Sequence, residues 1–134
     1  MNEQKILDGL KDNDPAILRE AAFSAGDTHL EDAVPLLVRL LNSENLGVQE
    51  AAEYALRRIR GPEVVNELLP LLRSDEAPIR NISMDILREI GKDSIEPLKE
   101  LLLDNDPDLR IFAADILGST ASIEAMTALG NTLL

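Results

Sequence analysis

The sequence predicts an all-α fold, a right-handed solenoid of about four stacked helix pairs followed by a C-terminal half-repeat. Three observations predict it. The chain is 45% apolar with three aromatic residues, Phe23, Tyr54 and Phe112. Its core must therefore be built from Leu, Ile, Val and Ala, and Leu and Ala are strong helix formers. Apolar residues recur in register every 30 or 31 positions, as Ile6, Leu37, Leu68 and Leu98 do. Asp12-Asn13-Asp14-Pro15 returns as Asp104-Asn105-Asp106-Pro107, followed each time by Ala-Ala and then Gly at one constant offset. Periodicity at this length marks a repeat architecture.

Each copy reads as helix, short turn, helix, in repeats of about 2–32, 33–63, 64–93 and 94–121 within a single domain of 1–134. Leu10, Leu41, Leu72 and Leu102 form a second column on the first helices. Ile17, Val48, Ile79 and Leu109, with Ala25, Leu56, Leu87 and Leu117, form two more on the second helices. In the first copy, Asp14 precedes Pro15 as a cap before a residue pre-set for a first helical turn. In the second copy, the first helix runs from about Asp32 to Leu41, and Asn42-Ser43-Glu44-Asn45 breaks it. The second helix then runs from about Gly47 to Arg60, with Val48, Ala51, Ala52, Ala55, Leu56 and Ile59 on one face. Gly61-Pro62 stops it. In the third copy, Pro70 lies within the first helix and should kink it. In the fourth, Asp106-Pro107 repeats the capping pattern. Ser122–Leu129 then matches Ser94–Leu101, giving a half-repeat over 122–134. The expectation there is either a longer array or an end-to-end homodimer through Met126, Leu129 and Leu133. A helix pair cannot bury both its apolar faces alone, so stacking supplies the core. The alanine columns should let neighbouring helices approach closely, with Ala52 and Ala113 at such contacts.

The pattern in Ala33-Val34-Pro35-Leu36-Leu37, Leu40-Leu41, Asn105-Asp106-Pro107-Asp108-Leu109-Arg110, Ala113-Ala114 and Leu117-Gly118 resembles the HEAT-repeat family. Within that family it is most similar to the short-repeat branch called PBS-lyase HEAT-like. The resemblance implies first helices on a convex face and second helices lining a concave one. It also implies a basic residue near the start of each second helix, which falls on Arg80 and Arg110; Leu18 and Gln49 stand there in the first two copies.

Charge narrows the function. The net charge is -12. Nucleic-acid binding runs on Lys and Arg displacing counterions, so this balance opposes it, and it opposes anionic membranes equally. A protein or peptide partner of basic or mixed charge is expected. No cysteine is present, so a disulfide framework and a cysteine metal site are both absent. One histidine, His29, cannot build a transition-metal site alone. Asp12, Asp14, Asp104 and Asp106 lack the spacing of a calcium loop and read as caps and solvated turns. No apolar run approaches bilayer length, and the first residues lack a signal-peptide pattern, so a cytoplasmic location is expected.

The candidate binding residues lie on the second helices. Phe23 and Tyr54 share one column that Asp85 and Asp115 continue, which predicts an exposed strip carrying two adjacent aromatics. These either anchor a partner or pack against each other. Glu50 and Glu53 lie on the same helix as Tyr54. Arg80 and Arg110 either grip an acidic ligand or pair with turn acids such as Asp75 and Asp106 and brace the stack. Arg57, Arg58 and Arg60 form a basic island suited to helix-end carbonyls and nearby acids. No nucleophile–base pair and no phosphate-cradling glycine loop are recognisable, so no catalytic residue and no cofactor are assigned. The sequence thus points to a non-catalytic interaction scaffold that uses its concave face. The alternative carried by the resemblance is a bilin-lyase-like accessory protein.

Overall fold

The structure, a computed structural model, describes residues 2–119. Several of its helices begin where a polar side chain satisfies one of the first free N–H groups. Asn2 accepts the Lys5 N–H at 2.8 Å and opens α1 (Glu3–Gly9). Asp14 accepts the Ala16 N–H at 2.9 Å and opens α2 (Pro15–Asp27), with proline as the first helical residue. A 3-10 turn, Glu31–Ala33, leads into α3 (Val34–Leu40). Asn45 then accepts the Val48 N–H at 3.1 Å and opens α4 (Leu46–Ile59). The third pair comprises α5 (Gly61–Leu68) and α6 (Ala77–Ile90). A further 3-10 turn, Gly91–Ser94, leads into α7 (Ile95–Leu101), and α8 spans residues 107–119.

These elements alternate between two layers. Within pairs, α1 packs on α2, α3 on α4 and α5 on α6; between pairs, α2 lies beside α4, α4 beside α6 and α3 beside α5. The result is an α-solenoid. Ile6, Leu37, Leu68 and Leu98 are all buried, as are Val48, Ile79 and Leu109, so these residues form the core between the layers, whereas Leu102 at the end of the Leu10, Leu41 and Leu72 column is 37% exposed. No helix among the described residues is long and apolar enough to cross a membrane.

Three places differ from the sequence expectation. Gly61-Pro62 does not merely end α4; both residues belong to the first turn of α5. Arg60 at φ +56° and Gly61 at φ +86° make the corner without a loop. Asp93 holds that corner, accepting the Gly61 N–H at 3.3 Å while its carboxylate lies 3.7 Å from the Arg60 guanidinium. Pro70 does not kink a continuing α-helix. It converts the last turn to a 3-10 segment, Leu69–Arg73, because proline offers no N–H to the α-helical ladder. Ile17, finally, is 38% exposed although its column is buried elsewhere. It lies beside Gly9, which carries no side chain to cover it, where the later copies carry Leu40, Leu71 and Leu101.

The stacking is closest between α2 and α4. A Cβ placed on Gly26 would lie 2.8 Å from the Ala55 Cα, so the two backbones nearly touch. Ala22, Gly26 and Ala55 make this possible. The positions 31 residues further on are Glu53, Arg57 and Ile86, and these larger side chains keep α4 and α6 further apart.

Candidate functional site

The second helices place one side-chain strip across the stack. On α2 it carries Arg19, Phe23 and Asp27; on α4, Tyr54 and Arg58. The Phe23 and Tyr54 rings meet edge to face with centroids 5.2 Å apart. This is the favoured geometry for two ring quadrupoles. Arg19 sits over the Phe23 ring at 5.3 Å and Arg58 over the Tyr54 ring at 5.7 Å. The Tyr54 hydroxyl donates to the Asp27 carboxylate at 2.6 Å. That hydrogen bond to an anion holds the phenol above its ordinary pKa, with desolvation adding in the same direction and Arg58 opposing it. Both rings are half-buried, so their remaining surface faces solvent.

Further along, the strip becomes ionic. The Arg57 guanidinium lies 3.3 Å from Glu53 on its own helix and 2.7 Å from Glu89 on α6. Arg88 on α6 pairs with Asp85 at 2.9 Å and also with Asp115 on α8. One arginine therefore bridges two carboxylates at each of these junctions. Arg60 adds a third tie, donating to the Ile90 carbonyl at 3.0 Å. Glu50 is exposed on α4, and Asp85 and Asp115 are exposed on α6 and α8.

Of the residues singled out from sequence, Phe23 and Tyr54 come together directly. Glu53, Asp85 and Asp115 join the arginine bridges. Arg80 and Arg110 do something else. Each donates across six residues to a carbonyl of the turn that precedes its helix: Arg80 to Ser74 and Arg110 to Asp104, both at 2.8 Å. They brace the turns, but through backbone carbonyls rather than the side chains of Asp75 or Asp106. Arg80 also lies over the Phe112 ring at 5.4 Å, and its buried Nε has no hydrogen-bond partner. Neither arginine is joined to the aromatic pair.

Sequence reasoning missed Asp27 as the partner of Tyr54, and Arg88 and Glu89 as bridge members. A signal was available. Arg57 and Arg88 are 31 residues apart, one repeat, and each has carboxylates within reach on the next helix. Met126, Leu129 and Leu133, the expected homodimer contacts, lie outside the described residues, as does the half-repeat over 122–134.

Away from the strip, Asp104 is paired across one repeat. Arg73 donates to it at 2.6 Å. That bond, helped by the Asp106 N–H, holds the Asp104 carboxyl below the usual carboxylate range, and it holds the Arg73 guanidinium above its own. Among the described residues no group of His, Asp or Glu could hold a metal ion.

Residues 3–88 match the family model for HEAT repeats. No curated protein matches the chain. Two crystal structures of engineered proteins resemble it. One is 25% identical with a TM-score of 0.51, the match covering 98% of this chain and 41% of the other. The second is also 25% identical with a TM-score of 0.49, over 97% and 69% of the two chains. The family match spans well over half of the sequence and falls on the stacked helix pairs that bury the repeating columns. The chain belongs to the HEAT-repeat family.

Proposed function

We propose that the chain is a non-catalytic interaction scaffold whose second helices form a concave face that takes a peptide or protein segment of basic or mixed charge. The observation that carries this reading is the Phe23–Tyr54 pair. It presents two half-exposed rings, locked by an edge-to-face contact and by the Asp27 hydrogen bond, at a junction between repeats. Rigid aromatics bind at low entropic cost and are enriched among the residues that dominate interface energies. The carboxylates of Glu50, Asp85 and Asp115 lie on the same face, and the net charge of -12 steers basic segments towards it. Repeat solenoids offer extended surfaces of this kind. The bilin-lyase-like alternative has no observation of its own in its favour.

Selection from a random peptide display library tests the reading. Enriched peptides should carry Lys or Arg, and the double variant Phe23→Ala, Tyr54→Ala should weaken them by about thirtyfold, the effect of losing a central anchor. Enrichment of acidic peptides, or binders indifferent to the double variant, would contradict it.

A further inference from the structure

The opposite layer contains a groove that the second-helix face does not explain. It lies between α5 and α7, with a volume of about 520 Å³. Its origin is local. Pro70 ends α5 early and turns Leu69–Arg73 into a 3-10 segment. The half-buried side chains of Leu69, Pro97 and Leu101 form an apolar floor. Glu96, Glu100 and Asp104 form the walls, and no basic residue lines the groove. Two of the three carboxylates are already engaged. Asp104 is held by Arg73 at 2.6 Å, and Glu96 lies 3.3 Å from Lys99. Glu100 is exposed and has no ion-pair partner among the described residues. In the two preceding copies the position of Glu100 is taken by Pro70 and Arg39, so the acidic wall belongs to this junction and not to the repeat in general.

We propose that this groove is a second docking site, and that it receives a lysine or arginine side chain from a basic protein segment. Charge complementarity selects the occupant. A long basic side chain lays its methylene stem on Leu69, Pro97 and Leu101 and places its cationic end against Glu100, the way such side chains divide themselves between apolar and polar surroundings. An apolar segment without a cation leaves the carboxylate walls unanswered, and an anionic one is repelled.

The experiment uses the full chain labelled with nitrogen-15 and two acetylated, amidated pentapeptides, Gly-Leu-Lys-Leu-Gly and Gly-Leu-Gln-Leu-Gly. The lysine peptide should shift the amide signals of Leu69, Glu96 and residues 98–101. Its affinity should fall about tenfold with Glu100→Lys and stay within about twofold with Glu63→Lys, an equal charge change at the start of α5. The glutamine peptide should bind at least about tenfold more weakly than the lysine peptide. Equal losses from both variants, equal binding of both peptides, or no shifts at the groove would overturn the proposal. Shifts confined to α2 and α4 would also overturn it while leaving the second-helix reading standing. Loss of library-selected peptides on Phe23→Ala, Tyr54→Ala with groove binding intact would support two separate sites.

Discussion

Tyr54 is the chain's single tyrosine, and it donates its hydroxyl proton to Asp27 on the preceding repeat. Its titration can therefore be read without interference. A phenol whose proton is held by a carboxylate ionises later than a free one. The contact it makes is full below the ordinary phenol pKa and is lost as pH rises through the raised value. Phenolate absorbance in the near ultraviolet should appear at higher pH than in unfolded chain, and Asp27→Asn should bring the midpoint down. An unchanged midpoint in the variant would remove Asp27 as the cause. Asp104 behaves in the opposite sense. Its carboxyl is held low by Arg73, so the stability it contributes is fully present above the ordinary aspartate pKa and disappears as pH falls through the depressed value. The melting temperature of Asp104→Asn should lie below that of the parent chain at neutral pH and converge with it in strong acid. Parallel curves at all pH values would contradict the pairing. Residue-scale contacts of this kind were hard to read from sequence. Tyr54 and Asp27 are 27 positions apart and Arg73 and Asp104 are 31 apart. Which acid a side chain reaches depends on helix rotation and rotamer, and the repeat pattern does not encode these.

Helices, by contrast, were legible almost to the residue. The second helix of the second copy was expected from about Gly47 to Arg60 and spans Leu46–Ile59. The reason is that Asn45, the apolar face and Gly61 all act locally. The departures follow from features that also act locally but have more than one outcome. Pro70 can kink a helix or end it in a 3-10 turn, and here it ends it. Packing between helices makes a graded prediction. Ala52 and Ala113 are fully buried. Replacing either with Phe should cost about 1–3 kcal/mol, because a close-packed core cannot admit the extra volume. Gly26→Leu should cost at least as much, since its first added carbon already meets the Ala55 backbone. Arg88→Gln should cost less than about 1 kcal/mol, the usual worth of exposed ion pairs, although it breaks two of them. Chemical denaturation of the four variants checks the ranking, and an Arg88 variant weaker than the alanine variants would reverse it. Amide exchange should likewise be slower in α4, clasped by α2, than in the short α5.

The whole molecule has two helical layers with different chemistry. The repeat is what made the fold readable, because four copies of one apolar pattern have a single economical solution: stacked pairs with the columns inside. The candidate surface was legible in part. Phe23 and Tyr54 stood out by sharing a column with two acids, and the structure brings them into contact. Arg80 and Arg110 stood out as well, and they turn inward to the backbone of their own turns. A conspicuous residue in a repeat can serve the repeat itself, and position alone does not separate the two uses. The groove between α5 and α7 was not legible, since it depends on how far α5 runs before Pro70 ends it. In the proposed function, the second-helix face binds a protein segment of basic or mixed charge. Amide chemical-shift mapping of the intact chain with a library-selected peptide tests it most directly. Perturbations should follow the strip from Phe23 and Tyr54 through Glu50 and Glu53 to Asp85, and disappear in Phe23→Ala, Tyr54→Ala. Perturbations that avoid α2 and α4, or that survive the double variant unchanged, would contradict it.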